Sequence, residues 1–276
     1  MNKFKFDQQT EELLYKKSIP NILHDGAQFE DIPITLLQTQ EIVNNSPING
    51  IKPDDVVTVH NMHMGAKYVL EHYKDFDFEN LKELHAYTGA DDTVNAGQLR
   101  KGVGAVQTTR GEFTPDRVYE QLAQENFENL LNDPQLDGDT KAAKVFSSLS
   151  RAQLFNDTNK RTAVLAANIP LLREGAGVFY IPEPAMENTL QLMSDYYWNN
   201  DDRLLVAVLK DVAINDYDGK TFYDPKHDYY EYADEYKKHI NLFKGLNAKG
   251  ILGKEKVQEL TRPPYFPEQS GPEIKR

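Results

Sequence analysis

A chain of 276 residues, 39% of them hydrophobic, has enough apolar mass for one large domain. Its formal net charge of −12 disfavours nucleic-acid and anionic-membrane partners. With no cysteine there are no disulfides, thiolate nucleophiles or Cys-based zinc sites, which fits a reducing, cytoplasmic setting. No apolar run is long enough to span a bilayer, and the opening MNKFKFDQQT lacks the apolar stretch of a secretory signal, so the expectation is a soluble protein.

In chain order, residues 6–18 read as a short polar helix closed by Pro20, and 24–31 as a turn-rich stretch. A helix is expected over 35–44, and NNSPINGIKPDD then breaks the chain. Pro53, followed by Asp54 and Asp55, opens a strong helix, because proline suits the first turn and carboxylates suit the positive end of the dipole. His60 and His63 lie on it, with His72 nearby. Two His three apart share a face, but no carboxylate sits at zinc-hydrolase spacing, so a metal is not expected there. Another helix is expected over 78–86. Alternation in Val103, Ala105 and Gln107, with Arg110-Gly111 as a turn, predicts a small β-hairpin. Pro115 is expected to restart a helix running to about Leu131.

The helix expected over 140–153 places Ala142, Val145, Phe146, Leu149 and Ala152 on one face. A polar loop, Asn156 to Arg161, separates it from an almost wholly apolar helix over 160–173, kinked or tightened at its end by Pro170. A loop feeding a helix N-terminus is a ready anion site, since free N–H groups and the helix dipole point at whatever lies there. Helices over 183–198 and 201–214 follow. From about 215 the composition turns to Tyr, Asp and Lys, with a helix expected over 229–245 and a polar, proline-rich tail.

The stretch Gln153-Leu154-Phe155-Asn156-Asp157-Thr158-Asn159-Lys160-Arg161-Thr162-Ala163 resembles the signature of the Fic/Doc (Fido) family. The usual motif reads HPFxxGNGRxxR, and the Doc branch reads closer to HxFxDxNKRTA. Phe155, Asp157, Asn159, Lys160, Arg161, Thr162 and Ala163 match the Doc-like form. Upstream, Gly97-Gln98-Leu99-Arg100 resembles the family's GxxR, Val103 to Phe113 its hairpin flap, and Phe113-Thr114-Pro115 its F-x-P helix start. The resemblance implies a mainly α fold: a Fido helical core with a small β-hairpin flap. It also implies transfer of AMP from ATP, or of phosphate in the Doc branch, to Ser, Thr or Tyr hydroxyls of a target protein.

On this resemblance Asp157 is the Mg ligand, a hard cation wanting carboxylate and phosphate oxygens together. Taken alone, an Asp here is a helix cap. Thr158, Asn159, Lys160 and Arg161 form the nucleotide-phosphate cradle; by composition alone they are a solvated basic turn. Phe155 reads as a core anchor. Gln107, Thr108, Thr109 and Arg110 form the flap that docks a target strand, with Arg100 and Arg110 adding positive charge near the cradle.

Three departures stand out. Gln153 occupies the place of the His base, and an amide does not titrate. Either the chain is a natural pseudoenzyme or the substitution was introduced to trap a complex. Val164 replaces the motif's second Arg, which leans toward the Doc-like branch. Gly26 to Asp31 is a degraded form of the family's inhibitory segment, with Glu30 as a regulatory candidate lacking its usual Arg partner. The expected organisation is N-terminal helices over 1–50 with that degraded inhibitory segment, a Fido core over 51–214, and a C-terminal helical appendage with a polar tail over 215–276. The expected function is nucleotide- and Mg-dependent transfer to a protein target, impaired by Gln153. The alternative is a non-catalytic module holding a protein partner in the flap groove. A homo-oligomer is left open.

Overall fold

The computed structural model describes residues 1–46 and 48–216. The Tyr-rich stretch after 216, the helix expected over 229–245 and the tail lie outside them. Within the described residues the chain is mainly helical, with two small antiparallel sheets.

The first helix, α1, spans Gln8–Gln28 and is capped by the Asp7 side chain on the Thr10 N–H. It runs through Pro20, and the stretch expected to be turn-rich is its last turns, up to Gln28. Proline removes one ladder bond and favours a kink, but the helix is held by tertiary packing: Tyr15, Ile22, Leu23 and Ala27 are wholly buried. Gly26 lies where a Cβ would sit 1.9 Å from Met62 Cε, so α1 approaches the helix carrying Met62 closely there and a larger residue would displace the Met62 side chain.

Leu36–Val43 (α2) starts with a capping box between Thr35 and Gln38, and Pro53–His72 (α3) starts on proline as expected. A 3-10 turn, Tyr73–Asp75, leads to α4, Phe78–Thr88. The hairpin consists of β1, Val106–Thr108, and β2, Gly111–Phe113, paired Gln107 to Glu112. Its turn is Thr109-Arg110, so Gly111 (φ 112°) opens the second strand instead of closing the turn.

The helix expected from Pro115 begins only at Glu120 and is α5, Glu120–Asn132. Residues 114–119 have no regular secondary structure, and a distant side chain ties their backbone: Arg100 Nη2 donates to the Asp116 carbonyl.

Gly138–Ala152 (α6) and Asn159–Ala166 (α7) bracket the polar loop. The single helix expected over 160–173 is two, with Asn168–Glu174 as α8. The break at Ala167 follows from Pro170, which has no N–H to give the Ala166 carbonyl. Asn168 then serves as a peptide surrogate, exchanging hydrogen bonds with the Phe179 backbone at 2.8 and 3.1 Å. This fixes β3, Val178–Phe179, which pairs with β4, Ile214–Asn215. Between them run α9, Glu183–Asn199, and α10, Arg203–Val212. Among the described residues no helix is long and apolar enough to cross a membrane.

Two carboxylates of α1 are buried against the β3 segment. Glu11 Oε2 accepts the Gly177 N–H at 3.1 Å, and Asp25 Oδ2 accepts the Ile181 N–H at 2.9 Å. The second oxygen of each lacks a hydrogen-bond partner. Burial pushes the Glu11 carboxyl up to about 8 and holds Asp25 well above the usual carboxylate range. Unfolded, Glu11 ionises near its ordinary 4.5. Its contribution is therefore fully present below about pH 4.5 and lost as pH rises to about 8. Glu11→Gln keeps the acceptor without the charge. Denaturant titrations between pH 5 and 9 are expected to show the variant losing less stability with rising pH than the wild type, by on the order of a few kcal/mol.

Candidate functional site

The loop between α6 and α7 is closed from within by Asn159. Its Oδ1 accepts the Phe155 N–H at 2.9 Å, and its Nδ2 donates to the Phe155 carbonyl at 2.9 Å, the Asp157 carbonyl at 3.3 Å and Gln153 Oε1 at 3.2 Å. Asn159 is buried, so its amide holds the loop and does not face a ligand. Phe155 is buried as an anchor and stacks on His85 with ring centroids 3.8 Å apart. His85 Nδ1 accepts the Gly97 N–H at 2.8 Å, which leaves Nε2 to donate to the Asp157 carbonyl at 3.1 Å. Burial pulls this imidazole down to about 4, so it is neutral and clamps the loop. No sequence signal pointed to this role for His85.

Arg100 ties the other end. Its Nε donates to the Gln153 carbonyl at 2.5 Å, Nη1 to the Gly102 carbonyl at 2.9 Å, and Nη2 to the Asp116 carbonyl. Arg100, expected to add positive charge near the cradle, directs its donors to the carbonyls at the end of α6 and on both sides of the hairpin. Arg110 is engaged likewise. Its Nη1 pairs with Asp195 of α9 at 3.1 Å, and its guanidinium lies over Trp198.

The rest of the flap is also docked on α9. Trp198 Nε1 donates to Thr108 Oγ1 at 3.2 Å, and Phe113 packs on Tyr197 and Trp198. Gln107 and Thr109 are exposed.

Gln153 caps α6 in the left-handed conformation (φ 47°), a place usually taken by glycine. Its Nε2 donates to the Ser150 carbonyl at 2.7 Å, and its Oε1 accepts from Asn159. Both ends of the amide are engaged.

Thr158, also left-handed (φ 55°), turns the chain into α7, and its buried hydroxyl oxygen lacks a partner. The first turn of α7 presents the N–H groups of Asn159, Lys160 and Arg161, which have no carbonyl one turn earlier to bond. Asp157 is exposed, with Oδ1 accepting the Thr158 N–H at 2.6 Å.

Arg161 lies buried beneath this turn. Its Nε meets Glu30 Oε1 at 3.2 Å and its Nη1 meets Asp92 Oδ2 at 2.5 Å. Glu30, which lacked its usual Arg partner in the sequence, thus has one in Arg161. Burial raises the Glu30 carboxyl, opposed by the charges of Arg161 and Lys160. Lys160 Nζ sits 5.5 Å from the Phe29 ring centre. Asp92 had no sequence signal at all. His60 and His63 meet edge to edge, and among the described residues no group of three or more His, Asp or Glu is placed to hold a metal.

This order of elements, a hairpin ahead of two helices joined by a polar turn, is the arrangement found in Fic proteins. Residues 75–171 match the Fic/DOC family. The Fic/DOC match spans α4, the hairpin, α5, α6, the motif loop and α7. Solved structures with the same fold include a Fic-domain-containing signalling protein from Bacteroides thetaiotaomicron, with TM-score 0.61, 17% identity, and 79% of this chain and 85% of that chain covered. A Fic family protein from Desulfovibrio desulfuricans matches with TM-score 0.57 and 13% identity, over 72% of this chain and 64% of that one. Fic-1 from C. elegans matches with TM-score 0.57 and 19% identity, over 76% and 64%. No curated protein matches the chain.

Asn159→Ala leaves the Phe155 N–H buried and unpaired. Removing that acceptor is expected to cost about 2–4 kcal/mol in chemical denaturation, well beyond a surface Asn→Ala change.

Proposed function

We propose that this Fic-type chain binds a nucleotide with Mg at the start of α7 and is built to transfer AMP, or phosphate, to a hydroxyl of a target protein. The observation that carries the reading is the α7 N-terminus: backbone donors converge there beside an exposed carboxylate and Lys160. The donor set fits Mg, which is commonly held by one or two protein carboxylates plus substrate phosphates. Asp157 would be that ligand; one of its oxygens is tied to the Thr158 N–H and the residue is exposed. When bound, the metal would neutralise charge on the transferred group. The N–H groups of Asn159 to Arg161 would hold phosphate oxygens, and Lys160 would add its charge. Arg161 would join only after Glu30 gave way, which makes Glu30 the regulator of the site.

Gln153 cannot take a proton from a target hydroxyl, so transfer as the chain stands is slow. A second reading, a non-catalytic module that holds a protein along the flap, is favoured by the engaged Gln153 amide.

Incubation with α- and γ-labelled ATP in separate reactions, in lysate, separates the two. Gln153→His is expected to transfer label roughly 10²–10⁴ faster than the wild type, with α-label reporting AMP and γ-label reporting phosphate. Silence from both proteins, with no calorimetric nucleotide binding, would sink the transfer reading. In the same calorimeter Glu30→Ala is expected to bind ATP about tenfold more tightly, a gain of about 1.4 kcal/mol from removing the competing carboxylate. Unchanged affinity would remove Glu30 from regulation.

A further inference from the structure

Away from the α7 N-terminus, a cavity of about 310 Å³ opens between α5, the segment 116–119 and the C-terminal end of α6. That volume is at the lower end of small-molecule sites. Its floor is apolar: Phe127, Leu149 and Leu154 are buried there. Its rim carries Tyr119 and Leu122, exposed by 60% and 53%. Two aromatic rings, Tyr119 and Tyr196, and two guanidinium groups, Arg117 and Arg151, also face it.

Arg151 is well placed to receive an anion. One donor, Nε, goes to the Tyr197 carbonyl at 3.2 Å, and Phe113 and Tyr196 flank its guanidinium at 5.4 and 5.7 Å. Its nearest carboxylate, Asp116, is 4.0 Å away with a side chain 94% exposed, a contact that contributes little and is easily displaced. The outer guanidinium nitrogens are thus aimed and held, with their charge barely spent. In a chain of net charge −12, a concave surface with two arginines over an apolar floor marks a complementary ligand.

We infer that this groove binds a small free monocarboxylate with an aromatic or aliphatic body, the body on Phe127, Leu149 and Leu154 and the carboxylate on Arg151 and Arg117. A single negative charge is favoured over a phosphate ester because Asp116 stands on the same rim and repels a dianion more. The groove also includes Ala152 and Leu154, the two neighbours of Gln153, so occupancy is felt beside the motif. The inference stands on the groove alone and not on nucleotide binding at α7, so either can fail without the other.

The test uses the full chain, calorimetry and amide NMR, with 3-phenylpropionate, indole-3-propionate and octanoate as probes. Their neutral amides and phenyl phosphate are the comparisons. The carboxylates are expected to saturate and to shift amides of α5, Ala152 and Leu154. The amides should bind about tenfold more weakly for loss of the charge-assisted pair. Arg117→Gln, a surface change, should weaken the carboxylates and leave the amides unmoved. Arg151→Gln, checked for an intact fold by its amide spectrum, should do the same more strongly, and Leu122→Glu should weaken carboxylates and amides alike. The inference is overturned if no carboxylate saturates up to its solubility, if amides bind as well as acids, or if phenyl phosphate binds more tightly than the carboxylates.

Discussion

The amide of Asn159 is the constraint on which the site depends. From the first residue of α7 it reaches back to both backbone groups of Phe155, and so turns a polar loop into a closed unit. The loop contains two left-handed residues that are not glycine, Gln153 and Thr158, each held against its conformational preference. Such positions persist only where the surroundings over-determine them. Here the surroundings are the Asn159 amide inside, the uncharged His85 imidazole stacked on Phe155, and one cation, Arg100, which takes the backbone carbonyls. Asp157, Lys160 and the Arg161 ion pairs lie beside this unit and make none of the hydrogen bonds by which the Asn159 amide closes it.

Those edge charges are balanced against one another. Arg161 is buried and meets two half-exposed carboxylates, Glu30 and Asp92, brought from α1 and from the turn after α4. Burying a guanidinium unpaired would be costly, so at least one of these partners is a structural requirement. Glu30 is held under opposing influences. Burial raises its carboxyl despite the neighbouring cations, meaning that desolvation outweighs their attraction.

Much of the fold could be read from local signals. The Pro53 start of α3, the apolar face of α6 and the motif loop rest on residues close in sequence and are where the pattern puts them, and the hairpin is present with its turn one residue earlier than expected. What failed depended on distant partners. Pro20 sits inside α1 because tertiary packing outweighs one lost bond. Residues 114–119 stay out of the helix, and there Arg100, earlier in the chain, takes the Asp116 carbonyl. The two-residue strands β3 and β4 carry no periodicity to find; Asn168 and the paired register make them. The site divides in the same way. The motif marked Asp157 to Arg161, but Arg161's partners are 131 and 69 residues away, and no local pattern encodes them.

Gln153 is where local and long-range requirements meet. Its backbone already has three roles: it caps α6 through its N–H to the Leu149 carbonyl, takes the left-handed turn, and accepts from Arg100. None of these depends on what the side chain can titrate. The amide itself spans two roles, donating to Ser150 on one side and accepting from Asn159 on the other. An imidazole also has two ring nitrogens, one donor and one acceptor when neutral. It could keep a bond to one of these partners and leave the other nitrogen for a substrate proton. Asn159 would still have Phe155 and Asp157 to bind, so the loop does not require the Gln153 contact for closure. The scaffold is thus indifferent to whether this position holds a base, which separates the geometry of the site from its capacity to move a proton.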